Sequence, residues 1–310
     1  MSEKKFYYGG QAVIEGVMMR GKQVMVIATR RPNGEVGINS QRLSTLYTGK
    51  WRKTPLVRGV IALIESMVLG IQTLMYSANV ALEEEKAELS GWTLWGVLIV
   101  ALAFAVGVFF ITPLFLTNLL RARIPNAILF NLIEGLIRVA IFIVYLKLIS
   151  GMKDIKRVFA YHGAEHKSIN AYEGGVPLEV ENARTYSTAN PRCGTSFLFA
   201  VLVIAILVFS LVGRPSLPIM VISRILLLPV IAALGYEFIY FTSRHAENPL
   251  MRVLLTPGLW LQSLTTREPD EKQLEVALAA LKKVLEAEQP EKYATPVASA
   301  SAARVPAESN

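Results

Sequence analysis

Residues 92–120 read WTLWGVLIVALAFAVGVFFITPLFLTNLL, twenty-nine positions without a charged side chain. As a helix this run rises ~43 Å, more than the ~30 Å of a bilayer's hydrocarbon core. It therefore reads as a membrane span, with Trp92 and Trp95 as interfacial anchors at one end and Pro113 as a kink near the other. Three more apolar blocks of similar reach follow, roughly Ala127 to Ile149, Ser196 to Val212 and Ser216 to Phe241. Composition agrees, since 53% of the 310 residues are hydrophobic, only 18% are charged and the mean hydropathy is +0.41. A soluble chain carries about a quarter charged residues. The fold class expected is a mainly α membrane protein of about four transmembrane helices.

Charge sets the orientation. Segment 1–58 carries eleven Lys or Arg against three acidic residues, and 147–192 carries seven basic residues. The connection between the first two spans has only Arg121 and Arg123, and that between the last two only Arg214. The positive-inside rule then puts both termini and the 150–195 loop in the cytoplasm. Met1 to Tyr8 is polar and aromatic, so no secretory signal is expected and the first span is retained. The lone Cys193 excludes an intramolecular disulfide and suits a reducing compartment. The net charge of +8 favours anionic lipid headgroups as partners of the bilayer-embedded chain; without an RNA- or DNA-binding module, nucleic acid is not expected.

Gly59 to Leu82 is apolar enough to be counted as a fifth span, but counting it would turn the basic 150–195 loop outward. Arg58, Glu65, Gln72 and Asn79 recur every seven residues and form one narrow stripe, so the segment reads as an interfacial or re-entrant helix. Before it, Val24 to Arg30, the turn signal Pro32-Asn33-Gly34 and the alternation from Val36 to Leu43 predict a small cytoplasmic β-hairpin. The glycines at 9, 10, 16 and 21 signal tight turns or close backbone approach, and without a GxGxxG or GKS/GKT they do not make a nucleotide-binding loop. Leu274, Ala277, Leu278, Leu281 and Leu285 mark an amphipathic helix over Asp270 to Glu288, and the Pro-, Ala- and Ser-rich sequence after it reads as a disordered tail. The organisation expected is a β-rich segment 1–55, the interfacial helix in 56–90, a transmembrane domain 91–242, a cytoplasmic C-terminal region 243–288 and the tail 289–310.

Chemistry concentrates in Tyr161-His162-Gly163-Ala164-Glu165-His166-Lys167, which holds two of the chain's three histidines. On a helix His162 and His166 share a face and can converge on one cation, while Glu165 at their flank acts as general base toward a water. A catalytic zinc takes three protein ligands and leaves one position open. The third ligand is expected from Glu237, an ionisable group near the cytoplasmic end of the last span, or from Cys193, whose thiolate suits zinc. His245 and Glu173 are weaker candidates. Glu237 has an alternative partner in a basic group such as Arg138, and Cys193 in plain packing. Within the second span, Glu134 and Arg138 at i and i+4 can neutralise each other, as a structural pair or in a transport path.

The phrases GGQAVIEGVMMRG (9–21), YHGAEHK (161–167), PRCGTSF (191–197) and PGLWLQSLTTREPD (257–270) resemble the bacterial YqhQ-like family over almost the whole chain to about residue 285. The resemblance implies a multi-pass protein of the bacterial plasma membrane carrying the label of a predicted metal-dependent enzyme. It departs at Asn190, where the family often has His. Two functional readings stand: a hydrolase of a peptide, ester or phosphoester using a divalent metal, zinc by preference, at the cytoplasmic membrane surface; or a non-enzymatic scaffold or small transporter in which the histidines are structural or metal-sensing.

Overall fold

The hairpin expected after Val24 forms, as half of a larger sheet. In a computed structural model describing residues 6–83, 91–213 and 215–293, β1 (Gly9–Val13), β2 (Gly16–Arg20), β3 (Val24–Arg30) and β4 (Val36–Arg42) make a four-stranded antiparallel meander in that order. The glycine-rich phrase thus supplies two strands, joined by the two-residue loop Ile14-Glu15 with Glu15 at φ 52°. Its period-2 signal is hidden because β2 is buried on both faces and reads as an unbroken Val-Met-Met run.

The helices are α1 (Thr45–Thr48), α2 (Val57–Ala81), α3 (Gly91–Val106), α4 (Thr112–Leu119), α5 (Ala127–Ile149), α6 (Lys153–Glu173), α7 (Val180–Ala183), α8 (Gly194–Val212), α9 (Leu217–Arg244), α10 (Pro249–Gln262), α11 (Glu271–Glu288) and α12 (Pro290–Tyr293). Five are long and apolar enough to cross a membrane: α2, the continuous helix of α3 and α4, α5, α8 and α9. The 289–310 tail begins with α12, where Tyr293 meets the Tyr172 ring, and from 294 onward lies outside the described residues.

One layered body brings distant parts of the chain together. Val17, Met19, Val26 and Ala28 on one sheet face share a core with Tyr161 and Ala164 of α6 and the leucines of α11. All five positions of the α11 stripe are buried, and Asp270 and Gln273 close a capping box at its start. On the opposite sheet face Val13, Met18, Met25 and Ile27 pack against Ile61 and Leu69 of α2.

In the bundle, Pro113 sits just past a π-helical turn at Gly107–Ile111. Proline has no N–H for the Phe109 carbonyl one turn back, and Arg138 Nε donates there instead at 2.9 Å. The Glu134–Arg138 pair forms at 2.6 Å, and Arg224 of α9, which had drawn no attention in the sequence, closes on the same carboxylate through both Nη atoms at 2.6 and 2.5 Å. These three groups are 1%, 5% and 7% exposed.

Candidate metal centre

The segment between α5 and α8 is carried by α6, which turns Tyr161, Ala164 and Ile169 into the sheet core and leaves His162 and His166 on its other side. A mid-helix glycine costs ~1 kcal/mol relative to alanine, so Gly163 needs a reason. The Arg267 carbonyl supplies it, because a Cβ at 163 would collide with that oxygen. Close approach is fixed by the Arg267 N–H, which donates to the Phe159 carbonyl at 2.9 Å. The chain leaving α10 is thereby laid across α6, and the Thr265 carbonyl meets His162 Nδ1 at 2.9 Å. His166 Nδ1 meets the Thr188 carbonyl at 2.5 Å. A carbonyl only accepts, so both Nδ1 atoms carry hydrogen and both Nε2 atoms are directed away from the backbone.

Cys193 completes the cluster. It is the N-cap of α8, its Sγ accepts the Thr195 N–H at 3.3 Å, and His162 Nε2 lies 3.2 Å away. One ligand atom from each of His162, His166 and Cys193 falls within 4.8 Å of the others. Tetrahedral zinc with its usual bond lengths holds sulfur and nitrogen ~3.5 Å apart, so this donor set and spacing fit the ion. Burial opposes protonation of His162, but the Cys193 sulfur outweighs it and lifts the imidazole to about 9. Burial likewise opposes the thiolate, and hydrogen bonds from both imidazoles bring Cys193 well below the usual thiol range. A thiolate beside imidazolium at a helix N-terminus is the reactive and metal-ready form of cysteine.

Glu165 is buried beside this group, its carboxyl against Gly10 of β1. Burial pushes it above the ordinary carboxylate range, opposed by the two imidazoles and by a hydrogen bond from the Gly10 N–H. Around the ligands, Gln262 clamps the 188–193 loop: its Oε1 accepts the Asn190 N–H and its Nε2 donates to the Asn190 carbonyl, both at 2.9 Å. Asn190 sends its own side chain to Asn170 and to the Arg192 N–H.

Two expected ligands stand elsewhere. Glu237 does not join the cluster: its carboxylate pairs with Arg58 and accepts the Leu56 N–H at 2.9 Å, so the expected third ligand from α9 is corrected to Cys193. Its partner is basic, as the alternative reading held, but is Arg58 instead of Arg138. Glu173 pairs with Arg192, and His245 is exposed with Nδ1 on the Phe241 carbonyl. The supporting carbonyls of Thr188 and Thr265 had no signal of their own in the sequence, because a backbone oxygen leaves none. Gly163 inside the histidine motif is their one indirect trace.

The chain is 36% identical over 297 residues, covering 91% of this chain and 93% of the relative, to Uncharacterized protein YqhQ of Bacillus subtilis (strain 168). No solved structure matches. Residues 54–287, which include every residue of the cluster, match the family described as Protein of unknown function (DUF1385). The chain belongs to that family.

Proposed function

We propose that this is a four-span protein of the bacterial plasma membrane, both termini cytoplasmic, that holds zinc through His162, His166 and Cys193 and hydrolyses a substrate at the membrane surface. The metal reading is carried by one observation: both imidazoles give Nδ1 to backbone carbonyls and converge on a single sulfur. Outer carbonyls of this kind orient metal-ligating histidines. Zinc bound there would supply Lewis acidity and an acidified water in the position its three protein ligands leave open. Glu165, protonation-prone and adjacent, is the group to take up and return the water's proton. Two imidazoles and a thiolate also favour zinc over the hard cations magnesium and calcium.

The topology is supported by the shared core of β1–β4, α6 and α11, which puts 9–42, 153–173 and 271–288 on one side of the membrane. An even number of crossings must then separate the sheet from α6, and α3–α4 with α5 provide two. Another even number must separate α6 from α11, and α8 with α9 provide two. The basic residues of these segments assign that side to the cytoplasm.

Metal analysis of detergent-purified protein tests the centre. The expected result is about one zinc per chain in wild type, loss in His162→Ala and Cys193→Ser, and retention in Glu165→Gln and Glu237→Gln. Wild type that takes up no stoichiometric zinc would sink the reading. The alternative, a non-enzymatic scaffold or small transporter, draws on the buried Arg138–Glu134–Arg224 cluster. It requires that Glu134→Gln change flux in liposomes while zinc content stays put.

A further inference from the structure

We infer that α2 lies flat on the cytoplasmic leaflet, its outer face and the Lys50–Leu56 turn forming a docking surface for a bilayer with anionic headgroups. The inference rests on the four-crossing part of the reading above and is independent of the metal.

The inner side of α2 belongs to the sheet. Glu65 receives Arg20 Nε at 2.9 Å, the Gln11 amide lies against Gly70, and Ser77 Oγ accepts the Ile14 N–H at 3.2 Å. From 65 to 77 the helix therefore runs ~18 Å along the sheet. If α2 crossed the membrane it would carry β1–β4 into the hydrocarbon, where open sheet edges are not tolerated. It would also make the crossings between the sheet and α6 odd, against their shared core.

The outer side is apolar and uncovered. Ile64, Met67, Val68 and Leu74 are exposed, while Glu65, Thr73 and Ser77 are buried against protein. A water-facing amphipathic helix has the opposite arrangement. At the start of the helix Trp51 is 66% exposed and Leu56 51%, the latter held outward on a left-handed backbone at φ 64° with its N–H on Glu237. Lys50 and Lys53 flank Trp51 and are exposed, whereas Arg52 turns inward to Glu65 and the Tyr236 hydroxyl. An aromatic between free lysines is the anchor that suits an anionic interface. The bilayer is the occupant because the surface is continuous with the bundle: Gly59 of α2 packs directly on Ala233 and Tyr236 of α9.

Spin labels at single cysteines introduced at positions 64, 67, 71, 74 and 75 of the reconstituted full chain, read by oxygen against nickel-chelate accessibility, report depth. Cys193 is buried and stays in place, and wild type serves as the labelling blank. The inference predicts one shallow depth for all five. A depth that changes steadily, by up to ~16 Å between 64 and 75 at helical rise, overturns both the flat placement and the four-crossing topology. Uniform accessibility to the nickel chelate overturns lipid docking while leaving the topology standing. For the headgroups, quenching of Trp51 by brominated phosphatidylglycerol is compared with brominated phosphatidylcholine in vesicles, subtracting Trp51→Phe. Each lysine is expected to enrich anionic lipid about fivefold, and Lys50→Gln with Lys53→Gln to remove the preference. Equal quenching by the two lipids overturns the anionic part.

Discussion

A single methyl group separates Gly163 from failure. Its Cβ would meet the Arg267 carbonyl oxygen, and the segment that must retreat carries the Thr265 carbonyl that orients His162. Gly163→Ala should therefore cost about 1–3 kcal/mol as overpacking, despite alanine's better helix propensity. It should also weaken zinc binding at least ~10-fold, the lower end for damage to an outer partner of a metal ligand. Thermal unfolding in detergent and a zinc titration measure the two, with Gly9→Ala, which faces open space, as the control. Undiminished zinc affinity would show that Thr265 does not position the imidazole. At this scale the sequence was half legible. His162 and His166 declare themselves by spacing, whereas Cys193, thirty-one residues away from His162, meets it only because α8 starts beside α6. Glu237 attracted attention as a buried carboxylate, and a guanidinium from α2 explains it.

Elements were legible where one face meets water and the other protein. α11 has such a surface, and its stripe from Leu274 to Leu285 maps onto buried positions one for one. β1 and β2 escaped notice because a strand covered on both faces loses its alternation. The kink expected at Pro113 has a consequence that spacing alone does not reveal: the carbonyl freed at Phe109 becomes a ligand for Arg138. Pro113→Ala restores an N–H that can close the α-helical turn and compete for that oxygen. Removing a proline from a helix ordinarily stabilises it, but here Arg138 Nε would be left without its acceptor while 5% exposed. The expected result is a loss of about 1–3 kcal/mol, the desolvation cost of an unpaired buried donor, read as a lower melting temperature in detergent. A rise in melting temperature would mean that the π-helical turn is merely tolerated.

Across the whole molecule, the sheet, α6 and α11 unite three parts of the chain that the spans separate, and the bundle below them is tied by one carboxylate and two guanidiniums. The first tie was beyond reach of local patterns, which report faces and not their partners. The second was read as a neutral pair because Arg224 lies ninety positions from Glu134. Two cations on one anion leave a buried excess positive charge, which the Phe209 ring meets from both sides, 5.9 Å from Arg138 and 4.8 Å from Arg224. The three members are therefore not equivalent. Glu134→Gln leaves two guanidiniums without a counter-charge and should cost about 3–5 kcal/mol. Arg224→Met leaves a balanced Glu134–Arg138 pair, removes the excess charge and fills similar volume, so its cost should be near zero or its effect stabilising. Melting temperatures of the two variants in one detergent decide the matter, since equal losses would show that geometry, and not the unbalanced charge, governs the cluster.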